Sequence, residues 1–451
     1  MVSSSSRFEA RPRAVPTLAR AIFLVFLTLS TAQAALAVSG FLSQTRLGYH
    51  TGDQWEPAIA ADGRGHVYVL YPQYGAVPDC STCTAPSVAL LISADNGMSW
   101  QPSKALLPFS TGQFDPQIVV DPADRQTVYA SWMQNNKRDI IVARSLDFGR
   151  SWSFSWAERG RIDFNDNADA DKPVLTVRGA DVYVGFNHDE RFFVAASHDA
   201  GQTFSTVQVN ANAAPGSSLA GGATIDPAGN VYFGWTAYAR HEMPTRPVSV
   251  YVSRSADGGR AWSTLLLDVS SAPPDCDAQG CETGFLGAQI ALASDASGAL
   301  YALWNAGAAN GGPERIYFSS STTGGANWSE RAGVSSAAPG VEHAFPAIVA
   351  GASGDVRIAW MDARATEAGH PRRPLWNTYY RSSTNGGATW NAETQLSGPA
   401  AGYDYVLTAG FRFPFGDYFG LAIDSDGATH AVWGEGRDYR SPGSIWYTHG
   451  R

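Results

Sequence analysis

Three arginines in the C-terminal quarter of the chain, Arg364, Arg412 and Arg437, stand in irregular polar stretches. Each is a planar fork of donors that matches a carboxylate bidentately. Groups able to attack or to move protons accompany them. Asp417 and Tyr418 are adjacent, and Glu56, Asp115 and Glu282 each fall at or near the start of a recurring strand pattern. Such a set can bind an anionic ligand and do acid–base chemistry beside it. The same residues also admit a structural reading. Asp362 and Arg364, like Glu435 and Arg437, have the spacing of ion-paired loop corners, and Asp417 could cap strand N–H groups.

The run Asp163-Phe-Asn-Asp166-Asn-Ala-Asp169-Ala-Asp171 places four carboxylates and two Asn in nine residues. Hard oxygen ligands at this density raise a structural calcium ion as one expectation and a solvated acidic loop as the other, because the glycine and terminal glutamate of an EF-hand loop are missing. No other cofactor is implied. His188, His241, His343 and His370 lack metal-ligand spacing and receive no role. Four cysteines form two local pairs, Cys80 with Cys83 and Cys276 with Cys281, which in an exported chain read as disulfides pinning two loops, with cross-pairing or a metal as alternatives.

The elements that must carry these residues repeat. Ser93-Ala-Asp95-Asn-Gly97-Met-Ser-Trp100 recurs at Ser145, Ser197, Ser255, Ser321 and Ser383, with Phe204 in place of Trp in the third copy and Thr323 and Asn385 in place of Asp in the last two. Asp or Asn accepting from N–H groups further along, and Gly at positive φ, make each octet a tight hairpin turn. Intervals of 52, 52, 58, 66 and 62 residues make it a repeat architecture. Seven strand pairs interleave with the octets, such as Pro57-Ala-Ile59 leading to Val67-Tyr-Val-Leu-Tyr71, and Phe419-Gly-Leu421 leading to Thr429-His-Ala-Val-Trp433.

This predicts an all-β fold, a β-propeller of four-stranded blades. Seven blades are preferred over six. The seventh octet is missing because the chain ends after Ile445–Thr448, so the strand Phe41–Leu47 is expected to complete the last blade and remove its bare edge. A–B turns and octets then share one face. The D–A and B–C loops share the other, where a site belongs.

Residues 1–37 read as a signal peptide: Arg13 and Arg20 precede the apolar run 21–29, and small-residue cleavage sites follow. Residues 38–451 are then one propeller domain, secreted or periplasmic, with no membrane span after cleavage and a monomer as the default. Loss of the leader takes the formal charge from −9 to −12, since it holds four Arg and one Glu. A nucleic-acid ligand is excluded by that charge. Only Lys104, Lys137 and Lys172 are lysines, a scarcity read as coding bias.

The octets resemble the Asp-boxes of the sialidase (neuraminidase) superfamily, and the resemblance covers roughly residues 41–451. Phe415–Ala422, Trp433-Gly-Glu-Gly-Arg437, Asp171-Lys-Pro173 and Trp360-Met-Asp-Ala-Arg364 are similar to segments of bacterial sialidase-like proteins with BNR repeats. The resemblance implies an exo-α-sialidase type of glycoside hydrolase acting on a glycan or glycoconjugate. Arg364, Arg412 and Arg437 would clamp the sugar carboxylate, with Glu56 also at the substrate. Tyr418 would be the nucleophile, Glu282 its partner, and Asp115 or Asp417 the acid. Two departures stand against it: Trp55-Glu-Pro57 occupies the place of the family's first R-I-P arginine, and seven blades exceed the family's six. The alternative is a non-catalytic propeller that binds glycan or protein.

Overall fold

Strand propensity and turn chemistry alternate along the chain, and the computed structural model shows where this leads. It describes residues 40–49, 51–78, 80–107, 111–189, 191–212, 217–238, 247–275, 286–367, 370–398, 400–401, 418–435 and 443–451. Arg412, Asp417, Arg437, Glu282, Cys276, Cys281 and the leader lie outside the described residues.

Seven four-stranded antiparallel sheets form a β-propeller. Strands A to D of blade 1 are Ala58–Ala61, Val67–Tyr74, Ser87–Ser93 and Lys104–Ala105. Blade 2 has Phe114–Val120, Val128–Gln134, Asp139–Ser145 and Ser153–Arg159; blade 3 has Ala170–Arg178, Asp181–His188, Arg191–Ser197 and Ser205–Gln208. Blade 4 has Ser217–Ile225, Val231–Tyr238, Val248–Ser255 and Ser263–Ser270, and blade 5 has Ile290–Ser294, Leu300–Gly307, Glu314–Ser321 and Ala332–Gly333. Blade 6 has His343–Ala350, Val356–Glu367, His370–Ser383 and Thr394–Gln395.

The last blade has Phe419–Ile423, Thr429–Glu435 and Ser444–Gly450. Its fourth strand comes from the other end of the chain, Thr45–Leu47, in antiparallel register with Tyr447, Trp446 and Ile445. Phe41 adds a bridge to Gly450. The expected closure is what the chain adopts, and no outer edge is left for want of a strand.

Between adjacent blades the apolar faces of two sheets meet, giving seven buried clusters, one per blade junction. The junction of blades 7 and 1 is as well packed as the rest, with Leu47, Ile59, Val67, Val432 and Tyr447 in contact. The strand-B tryptophans Trp132, Trp235, Trp304, Trp360 and Trp433 are fully buried. Each indole N–H finds an acceptor, for three of them the side chain two residues on: Gln134 at 2.8 Å, Asp362 at 2.9 Å and Glu435 at 2.7 Å.

The octets behave as their composition dictates. Asp95 accepts from Ser93 Oγ, Ser99 N and Ser99 Oγ at 2.7, 2.8 and 2.6 Å, and Gly97, at φ +81°, donates to Ser93 Oγ. These hydrogen bonds, that of the Ser99 hydroxyl first, hold the Asp95 carboxyl down at about 2. The octet aromatic also staples blades together: Trp100 packs edge-on against Tyr447 and Trp390 against Phe318. Among the described residues no helix is long and apolar enough to cross a membrane.

Candidate functional site at the channel entrance

The first residue of chemical interest in each blade is set by strand register. Ile59, Ile118, Ala223, Leu292, Ile348 and Leu421 pair with the third residue of their respective B strands, and Leu175 with the fourth of its own. Three positions earlier stand Glu56, Asp115, Lys172, Ala220, Gln289, Phe345 and Tyr418, one per blade, ringing one end of the propeller axis. In blade 4 a bulge between Ala220 and Gly222 lies beside the ring position.

Four members of the ring, Glu56, Asp115, Lys172 and Phe345, have φ of +51°, +51°, +52° and +55°, and proline follows each. The left-handed conformation costs a side-chain-bearing residue about 1–2 kcal/mol. Its recurrence in four blades marks a device. In blades 2, 3 and 6 it coincides with a β-bulge that re-aims the strand start.

A cavity of about 1020 Å³ runs along the axis, lined by the A strands of all seven blades. Its two ends differ. At the A–B turns the carboxylates are saturated by their own turns: Asp62 by Arg64 N, His66 and Tyr68, Asp226 by Asn230 and Tyr232, and Asp424 by Ala428 N and His430. At the opposite end, polar groups converge from different blades.

There the Tyr418 hydroxyl donates to Asp115 Oδ2 at 3.1 Å. Lys172 Nζ lies 4.5 Å from the centre of the Tyr418 ring. Lys137 Nζ is 3.7 Å from Asp171 Oδ1 and 5.5 Å from the Phe114 ring centre. Glu56 and Asp115 are 2 % and 5 % exposed, and the Asp115 carboxyl lies near enough to oppose charge on Glu56. Glu56 Oε2 is buried without a hydrogen-bond partner.

Burial raises Glu56 well above the usual carboxylate range, and Asp115 adds to it against the pull of Lys172 and Lys137. Tyr418 is likewise raised, by burial first and then by Asp115, Glu56 and Asp171. Asp171 is raised by burial and by Asp115. Lys137 keeps its proton more firmly than usual: burial opposes the charge, but Asp171, Asp115 and Glu56 outweigh it. Nearby Asp53 is lifted by burial to about 6, with the Gly443 N–H pulling the other way. The arrangement is a pair of buried carboxyls with a phenol on one side and two ammonium groups beside it.

Of the expected site residues, the structure brings together Tyr418, Asp115 and Glu56. Arg364 is placed otherwise. Its guanidinium is bidentate to Asp362 at 2.8 Å, reaches Glu393 at 2.6 Å and lies over the Tyr379 ring. That is the ion-paired corner its spacing suggested, with two carboxylates already on the fork. The acidic run does not converge either. Asp163 caps Arg159 N, Asp166 meets Ala168 N and His188, and Asp171 faces Lys137. Among the described residues no three metal-ligating side chains form a group. Cys80 and Cys83 form the expected disulfide.

Sequence reasoning missed the two lysines. Of 32 cationic residues three are lysines, and two of those three enter this site. The scarcity taken for coding bias was the available signal. Lys137 is brought in by a turn in which Asn135, Asn136 and Lys137 all have positive φ, a conformation Asn tolerates better than most residues.

No protein-family model matches the chain, and no curated protein matches it in sequence. Solved structures do resemble it. A protein of unknown function from Dyadobacter fermentans aligns at TM-score 0.50 and 12 % identity over 91 % of this chain and 98 % of that one. An ulvan lyase, a polysaccharide lyase, aligns at 0.46 and 13 % over 89 % and 95 %. The intramolecular trans-sialidase of Ruminococcus gnavus aligns at 0.41 and 14 % over 90 % and 97 %. At these identities the likeness is one of fold.

Proposed function

We propose that the channel entrance is the active site of an exported glycoside hydrolase acting on an anionic sugar of a glycan. The observation that carries this is the hydrogen bond from Tyr418 to Asp115 at 3.1 Å, with Lys172 against the same ring. Asp115 takes the phenolic proton as Tyr418 Oη attacks the anomeric carbon. Asp171, the half-exposed carboxyl of the group, gives its proton to the departing oxygen. Water then attacks the glycosyl–tyrosine bond, returns a proton to Asp171, and the phenolate recovers its own from Asp115. Lys172 and Lys137 supply positive charge for the sugar's anionic group, since the Arg364 fork is already occupied by Asp362 and Glu393. A phenol as nucleophile avoids bringing one anion up to another.

One observation favours the second reading, a propeller that binds glycan without cleaving it. Burial first, then Asp115, Glu56 and Asp171, hold the Tyr418 phenol well above its usual range, which opposes the proton loss a nucleophile must undergo. The test is a panel of aryl glycosides including sialosides and uronides, with Tyr418→Phe as control. Turnover lost in the variant supports hydrolysis. Glycan binding by calorimetry in wild type and variant alike, with no turnover in either, supports binding alone.

A further inference from the structure

The acidic run that invited a calcium ion has another organiser. Strand D of blade 2 ends at Arg159 and strand A of blade 3 begins at Ala170, so residues 160–169, which open on one helical turn at Gly160–Asp163, form the connecting loop that delivers Asp171 and Lys172 to the channel entrance. His188, the last residue of strand B in blade 3, is 2 % exposed beneath it. Its Nδ1 stands 3.2 Å from Oε1 of Glu158, which is fully buried on blade 2. Its Nε2 is 3.0 and 3.2 Å from the two oxygens of Asp166 in the loop. The Phe164 ring stacks on the imidazole, centroids 4.1 Å apart and planes within 16°. One ring therefore ties together blade 2, blade 3 and the loop. The loop's ends are fixed separately, by Gly160 N donating to Arg138 O and Ala170 N to Lys137 O.

We infer that His188 is a positioning residue of the entrance site: as an imidazolium between Glu158 and Asp166, it holds the loop that presents Asp171 and Lys172. This rests on reading the entrance as the functional site. Two carboxylates on opposite edges of a buried ring need a cation between them, since an uncompensated buried charge is costly. Burial works against the charged ring, yet the Glu158 carboxylate close to one edge and the hydrogen-bonded Asp166 at the other prevail, and its pKa is raised. Burial also raises Glu158, and His188 draws it back. The other charges facing this group are Asp139 and Asp163, which act on Glu158, and Arg191, which acts on Asp166. Asp166 of the acidic run is thus paired with a side chain from within the fold.

The test is hydrogen exchange on the full chain, reading the peptide 160–172 against the other blades in wild type, Asp166→Asn and His188→Gln. Asp166→Asn removes only the loop's half of the pairing and leaves the Glu158–His188 contact in place. The expected result is exchange of this peptide faster on the order of tenfold in both variants, with the other blades unchanged and no protection restored by millimolar calcium chloride. Unchanged exchange, acceleration spread evenly over the blades, or rescue by calcium would overturn the inference. This readout needs no substrate, so a silent glycoside panel leaves it standing while removing the hydrolase reading. Glycan turnover or binding that is unaltered in Asp166→Asn despite a loosened loop would overturn the positioning role alone.

Discussion

The hydroxyl of Tyr418 donates to the carboxylate of Asp115 across 303 residues of chain, from the start of the last blade to the start of the second. Neither residue is a sequence neighbour of the other's partners. They meet because the ring closes and because each stands three positions before the residue that pairs with the third residue of its own B strand.

Asp115→Asn should abolish turnover while leaving the fold as stable as before or more so. The substitution removes a base, costing on the order of 10²–10⁴-fold in rate. It also relieves the repulsion that pushes Glu56 and Tyr418 upward. A thermal melt beside the glycoside assay checks both halves, and a large fall in Tm would mark Asp115 as structural.

Stability should decline as the pH rises from about 4 to 6. Asp53 has its folded pKa raised from 3.8 to about 6, so in that interval the folded state binds more protons than the unfolded state and loses ground as they leave. Glu56 is raised in the same direction. The depressed octet aspartates act oppositely but at lower pH, near 2 for Asp95 and Asp147. Tm measured across this range in wild type and Asp53→Asn should show a shallower decline in the variant.

Leu47→Ala should destabilise the whole ring by about 2–5 kcal/mol. Leu47 is 5 % exposed in the blade 7–blade 1 junction and lies on the strand that completes the last blade. A denaturant melt that hardly moves would mean the N-terminal strand is dispensable for closure.

Thr323→Asp should raise Tm without touching activity. In the fifth octet Thr323 Oγ1 lies 3.3 Å from Ser321 Oγ and accepts from Asn327 N, whereas Asp257 in the preceding octet accepts from Ser255 at 2.8 Å and keeps a second carboxylate oxygen. Restoring that acceptor on an exposed corner adds hydrogen bonds at little desolvation cost. A lowered Tm would show that the corner is tuned to threonine.

The propeller, its seven blades and its closing strand were legible in the chain alone, because octet turns and alternating strands are local chemistry repeated at near-constant spacing. The corner role of Arg364 was legible in part for the same reason, as Asp362 is two residues away. The entrance site was not. Glu56, Asp115, Lys172 and Tyr418 come from four blades, and their mutual contacts depend on ring closure, on bulges that change the register count, and on left-handed residues before proline. Lys137 arrives on a turn from a different loop, and His188 reaches the acidic run from beneath. Turns and strands are decided by neighbours a few residues apart. Which charges face one another, and which remain unmatched, is decided only when distant segments pack, and that is where tertiary structure placed the chemistry.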